Sequence, residues 1–155
     1  MHQSVREWVA EHASQLIGPT LDIGALDING NVRDLAPAPY LGLDIMSGPN
    51  VDQVYDGIHL PFPRASFGTV LCLEVFEHAA DPVRLAHEIV RVLDPFGTAL
   101  ISARGPGFPH HHPPDRWRFM PGALADLFER CGCRSTEVED TQPGHPGAFV
   151  HVRPR

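Results

Sequence analysis

One spacing constrains this chain more than any other: Leu21-Asp22-Ile23-Gly24-Ala25, then about twenty residues later Tyr40-Leu41-Gly42-Leu43-Asp44. The first stretch reads as a buried strand ending in a turn where glycine lets the backbone pass close to a ligand. The second reads as another strand, ending in a carboxylate. A carboxylate at that place can accept two hydrogen bonds from the hydroxyls of a ribose. The pair therefore has the layout of a nucleotide site at the carboxyl edge of a parallel sheet.

Length and composition suit one domain over residues 1–155: hydrophobic residues make up 43% and charged residues 20%, enough for a single core. A net charge of −7, from 12 basic and 19 acidic residues, argues against an extended nucleic-acid surface, with room for a small basic patch at Arg116 and Arg118. Cys72, Cys131 and Cys133 are an odd set in a sequence with no signal peptide, which is read as reduced thiols in a cytoplasmic protein. No apolar run reaches the length of a membrane span.

Periodicity predicts an N-terminal amphipathic helix over 4–17, with Ser4 and Glu7 at capping-box spacing and Gly18-Pro19 as its stop. Strands are expected at 20–23, 40–45, 51–56, 69–73 and 98–103, with at most a short helix within 27–35. The run at 69–73 is nearly continuously apolar, as in a central strand buried on both faces. Asp81-Pro82 opens a helix to about Leu93, residues 94–97 make a turn, and Pro121 opens a helix that Gly132 stops. Segments 134–139 and 148–152 should pair as a closing hairpin. Strands alternating with helices imply an α/β, Rossmann-like, doubly wound sheet, mostly parallel, with an antiparallel terminal strand.

Dinucleotide enzymes place a pyrophosphate on G-x-G-x-x-G. Here only Gly24 is in place, and Asp27 would repel a diphosphate. S-adenosylmethionine carries no phosphate and has a cationic sulfonium, so nearby acids favour it. At this point the chain resembles the class I S-adenosylmethionine-dependent methyltransferases, in particular the small methyltransferase type 11 group. The resemblance runs from about residue 20 to 133 and is carried by five further segments: Gly42-Leu43-Asp44, residues 51–57 with Leu60-Pro61-Phe62-Pro63, residues 70–78 with their Glu77-His78 ending, residues 88–97, and Asp115-Arg116-Trp117-Arg118-Phe119. The sequence departs from that pattern at Leu26 and Ile28, where glycines are usual, at Gly68 in place of an aspartate, and at Phe96 in place of a glycine.

The resemblance implies a seven-stranded sheet and S-adenosyl-L-methionine as cofactor. It implies contacts from Gly24, Ala25, Asp44 and Ile45, with Asp44 on the ribose and Asp56 and Gly57 at the adenine. Leu73 and Glu74 fall beside the methionine moiety, Glu74 being either a cofactor contact or a helix cap. Asp22 is expected to order the glycine turn and to meet the cofactor's amino group through water. The 104–120 loop follows the fifth strand and is read as a wall of the acceptor pocket. His78, with an ordinary histidine pKa of about 6.5, is a candidate base, and His111 and His112 are candidate acceptor-side residues. No metal is assigned, because His110, His111 and His112 in an extended loop alternate in direction and cannot share one ion. The expected activity is methyl transfer to a small-molecule or sugar acceptor, at oxygen. The alternative is a catalytically idle module that binds S-adenosylmethionine or another nucleoside.

Overall fold

The computed structural model describes residues 2–109, 114–140 and 142–155. Seven strands form one sheet: β1 Thr20–Ile23, β2 Tyr40–Asp44, β3 Gln53–Val54, β4 Phe67–Leu73, β5 Leu93–Arg104, β6 Cys133–Asp140 and β7 Gly147–Pro154. Their spatial order is β3-β2-β1-β4-β5-β7-β6. The sheet is parallel from β3 through β5, and β7 inserts antiparallel between β5 and β6. Asp22 pairs with Gly42 on one side and Leu71 on the other, so strand order reverses around β1 and β4. A crevice opens at such a reversal, at the carboxyl ends of the strands.

β4 shows why the sheet is covered on both faces. Val70 and Cys72 pack with helices α2 (Pro82–Val92) and α3 (Pro121–Arg130), through Leu85, Ile89, Leu124 and Phe128. Leu71 and Leu73 turn the other way and meet α1 (Gln3–His12) through Val5, Trp8 and Val9. Side chains alternate along a strand, so one apolar run feeds two cores. Trp8 also stacks on Phe149 of β7, 4.8 Å between ring centroids. Asp81 caps α2 by accepting from Arg84 N at 2.9 Å, as its sequence predicts. No helix is formed within 27–35. Among the described residues no helix is long and apolar enough to cross a membrane.

Several sequence expectations are corrected. α1 stops at His12, and a 3-10 turn, Ala13–Gln15, replaces the last turn expected. The Ile17 backbone is instead captured by Thr69, whose hydroxyl accepts from Ile17 N at 3.0 Å and donates to Ile17 O at 2.8 Å. Gly68 permits this approach, because a Cβ there would lie 2.7 Å from Ile17 O. The capping box does not form: the N-cap is His2, Ser4 Oγ donates to Asp140 at 2.9 Å, and Glu7 accepts from Gln3 at 2.6 Å. Residues 94–97 lie inside β5 as a bulge, since pairing passes from Phe67↔Leu93 to Thr69↔Thr98. The third strand is only Gln53–Val54.

Candidate functional site

The glycine turn after β1 sits at the carboxyl edge of the sheet. Gly24 has φ 78°, which a side chain would strain, and a Cβ there would strike Val75 Cγ2 at 2.2 Å. That contact joins the turn after β1 to the turn after β4. Gly24 N and Ala25 N both donate to Leu43 O, at 2.8 and 3.1 Å. Asp44 is buried at the end of β2, accepting from Leu26 N at 3.0 Å and Met46 N at 3.1 Å. Asn50 completes the frame, donating to Ala25 O at 2.9 Å and to the Tyr40 hydroxyl at 3.1 Å.

Asp44 and Asn50, rather than Asp22, therefore order the glycine turn. Asp22 faces Tyr40, whose hydroxyl donates to its carboxylate. Burial drives the Asp22 pKa up to about 7; the Tyr40 bond opposes that shift and the Asp44 charge adds to it.

Ile45, Met46 and Ile58 continue the edge as exposed apolar side chains, and the Ile45 side chain lies 3.0 Å from where a Gly57 Cβ would be. Asp56 is committed to its own turn: Oδ1 accepts from Ile58 N and His59 N, both at 2.8 Å, and Oδ2 lies 3.1 Å from His59 Nδ1. Those bonds, led by the two backbone donors, hold its pKa down to about 2. The edge from Gly24 to Gly57 thus offers a buried acid, a turn with no side chain, and apolar surface. Asp27 adds negative charge beside the turn, accepting from Gly30 N at 2.7 Å and Asn31 Nδ2 at 2.6 Å. This chemistry suits a nucleoside without phosphates and with a cationic centre.

At the end of β4, Leu73 is followed by Glu74 at φ 58°. Glu74 is not a helix cap, since Asp81 fills that role. Its carboxylate stands 2.7 Å from Arg104 Nε, a charge contact whose N–H is not aligned as a hydrogen bond. His2 N also donates to Glu74 at 3.3 Å. Arg104, 1% exposed, reaches on to Asp140 at 3.1 Å and donates to His145 O at 3.0 Å.

Glu77 is 1% exposed, and its Oε2 has no hydrogen-bond partner among the described residues. Burial pushes its pKa up to about 8, with the charges of Glu74 and Asp115 adding to the effect. His78 Nδ1 lies 3.2 Å from Asp115 Oδ1 and 3.5 Å from Pro114 O. Asp115 also pairs with Arg118. Arg116 N and Trp117 N donate to Glu77 O at 2.7 and 3.1 Å, and Trp117 Nε1 donates to Ala79 O at 2.8 Å. Trp117 therefore fastens the loop against the turn after β4.

The structure gathers Gly24, Ala25, Asp44, Ile45 and Gly57 along one edge, while His78 belongs to a separate group with Asp115. His111 and His112, with His110, lie outside the described residues. Sequence reasoning missed Asn50, Glu77, Arg104 and Asp115 as members of these groups. The Glu77-His78 ending of the 70–78 segment was the available signal for Glu77, and the Asp115-x-x-Arg118 spacing was the one for Asp115.

Comparison with known proteins identifies the family and the fold. The methyltransferase domain family matches residues 6–101. A ubiquinone biosynthesis O-methyltransferase of Erwinia tasmaniensis is 26% identical over 113 residues, covering 62% of this chain and 46% of that protein. The chain thus spans less than half the length of that relative. Among solved structures, a 1,6-didemethyltoxoflavin-N1-methyltransferase of Burkholderia thailandensis, with bound S-adenosylhomocysteine, superposes at TM-score 0.78 and 18% identity, covering 98% of this chain and 78% of that one. A SAM-dependent methyltransferase of Aquifex aeolicus superposes at TM-score 0.67 and 16% identity, covering 95% and 88%. At those identities the structures speak to the fold alone. With the family matched over most of the chain and the sheet order as described, the chain belongs to the methyltransferase domain family, and within it to the class I S-adenosylmethionine-dependent enzymes that its motifs resemble.

Proposed function

We propose that the chain binds S-adenosylmethionine along the edge from Gly24 to Gly57 and passes its methyl group to an oxygen of a small-molecule or sugar acceptor. The observation that carries this reading is the Asp44 carboxylate at the end of β2, bonded to Leu26 N of a glycine turn that has no phosphate-binding pattern. When bound, the cofactor supplies a methyl group already activated on a cationic sulfur. Asp44 would accept from the ribose hydroxyls, using lone pairs beyond those taken by Leu26 N and Met46 N. Ile45, Met46 and Ile58 would cover the adenine, with Asp56 and Gly57 at its rim. Ala25 and Leu73 would flank the methionine portion, with Asp22 and Glu74 as its acids.

The chain's main contribution to rate is alignment, because the leaving group needs no further activation. His78 would take the proton of the acceptor hydroxyl, and His111 and His112 would stand on the acceptor side. The test is native mass spectrometry of the purified protein, followed by a methyl-transfer screen against a metabolite and sugar library. Binding without transfer to any acceptor would favour the idle nucleoside-binding module instead.

Two expected results follow for the cofactor. S-adenosylhomocysteine at about a hundredfold over its dissociation constant should stabilise the fold by roughly 2.7 kcal/mol, seen as a raised thermal midpoint, and NAD at equal concentration should not. A folded sample that neither S-adenosyl compound stabilises would sink the reading. Asp44→Asn should weaken S-adenosylhomocysteine binding by about 1–3 kcal/mol, roughly 5- to 150-fold, in calorimetry. It should also cost about 1 kcal/mol of stability, because one backbone donor loses its carboxylate partner. Unchanged affinity would show that the ribose acid lies elsewhere.

A further inference from the structure

We propose that Asp115 is the positioning residue for His78: it holds the ring so that the acceptor's proton is taken at Nε2, and it stabilises the imidazolium that results. The inference rests on the reading of His78 as the acceptor's base. Asp115 Oδ1 stands 3.2 Å from His78 Nδ1, and the Pro114 carbonyl lies 3.5 Å from the same nitrogen. The carboxylate stands at ion-pair distance and the carbonyl at the outer limit of a hydrogen bond, and both favour the ring proton on Nδ1, which leaves the basic lone pair on Nε2. The Asp115 side chain is only 10% exposed, and Arg118 holds its other oxygen. A carboxylate so enclosed acts on the histidine with little screening. Such a contact can be loose before substrate binds and tighten in the complex.

The transfer balances. An acceptor hydroxyl oxygen bonds to the methyl carbon as the sulfur–carbon bond breaks, its electron pair staying on sulfur to leave a neutral thioether. The hydroxyl proton passes to His78 Nε2 and the cation is held against Asp115, then shed to water. The other groups facing this pair are the Glu77 carboxyl, kept in its neutral form by burial below about pH 8, and the guanidinium of Arg118, which pairs with Asp115.

A purely structural role for Asp115, stapling the segment, is already served by other bonds. Arg116 N and Trp117 N reach Glu77 O, and Trp117 Nε1 reaches Ala79 O at 2.8 Å. Asp115→Asn should therefore leave the fold in place and change the histidine.

The test is a histidine-labelled NMR titration of the full chain, with the His78 resonance identified by its loss in His78→Ala. Asp115→Asn should move the His78 midpoint down by about one pH unit, a tenfold loss of proton affinity, and Asp115→Glu should restore most of it. With an acceptor in hand, the acid limb of the kcat/KM profile should move by the same amount. In that assay kcat should fall roughly 10- to 100-fold, with KM for S-adenosylmethionine unchanged. If His78→Ala abolishes transfer but Asp115→Asn moves neither the midpoint nor the acid limb, this inference alone is overturned. If His78→Ala transfers at the full rate, the base reading falls and takes this inference with it.

Discussion

Arg104→Leu should destabilise the protein by about 3–5 kcal/mol at neutral pH, enough to lower the thermal midpoint by roughly 10 °C. The guanidinium is buried between two carboxylates, Glu74 at 2.7 Å and Asp140 at 3.1 Å. Replacing such a group leaves both acids in a dry site without a counter-charge, which costs more than the ion pairs themselves contribute. The damage should spread to the N-terminal helix. Its Ser4 hydroxyl donates to Asp140 and its His2 N–H donates to Glu74, so α1 is tied to the sheet through these acids. Hydrogen exchange at Val5–Val9 should speed up before the central strands are affected. Adding Glu74→Gln and Asp140→Asn should recover a good part of the loss, since the uncompensated charges are then gone. A loss below about 1 kcal/mol, or no recovery in the triple variant, would mean that the network is not what holds α1 in place.

The same network shows what the sequence could and could not reveal. β4 was legible because it is a nearly continuous apolar run, β1 because Leu21 and Ile23 stand between the turn residues Gly18-Pro19 and Gly24, and α2 because Asp81-Pro82 states its own start. The carboxyl-edge position of Gly24 and Asp44 was legible for the same reason, since strand ends and turn residues are local signals. Ser4 and Glu7 carried an equally local capping signal, yet Ser4 bonds to Asp140 far along the chain, and that competitor leaves no mark near residue 4. Ile17 follows the helical period, but Thr69 and Gly68 draw its backbone into an extended approach to β1. Glu74 is similar: nothing next to it announces that Arg104 lies within reach, because β4 and β5 meet only in the folded sheet. His78 was legible as a titratable group in the turn after β4, whereas its partner Asp115 lies across the loop. Contacts of that kind are set by topology and not by spacing.

Glu77→Gln should flatten the protein's fall in stability between about pH 4.5 and pH 8, and the size of the change is set by one proton. In the unfolded chain the Glu77 carboxyl ionises near 4.5; in the fold, burial holds the proton on until about pH 8. Between those values the folded state binds the proton and the unfolded state does not. Stability therefore falls as pH rises through that window and levels off above it. Each unit of displacement is worth about 1.4 kcal/mol, so the fall attributable to this group is on the order of 3–5 kcal/mol. The glutamine amide is neutral at every pH and nearly isosteric with the protonated acid. Urea melts should find the variant and the parent about equally stable near pH 4.5, and the variant firmer by about 3 kcal/mol at pH 9. Asp22, raised to about 7 by its own burial, titrates inside the same window, so the difference between variant and parent is the measure, not the parent's curve. Glu77 O anchors Arg116 N and Trp117 N. Ionising its side chain therefore loosens the turn that carries His78, and the acceptor-side segment should become more exchangeable above pH 8 in the parent but not in the variant. Parallel stability curves for the two proteins would show that Glu77 ionises freely in the fold, and the neutral wall beside His78 and Asp115 would then have to be abandoned.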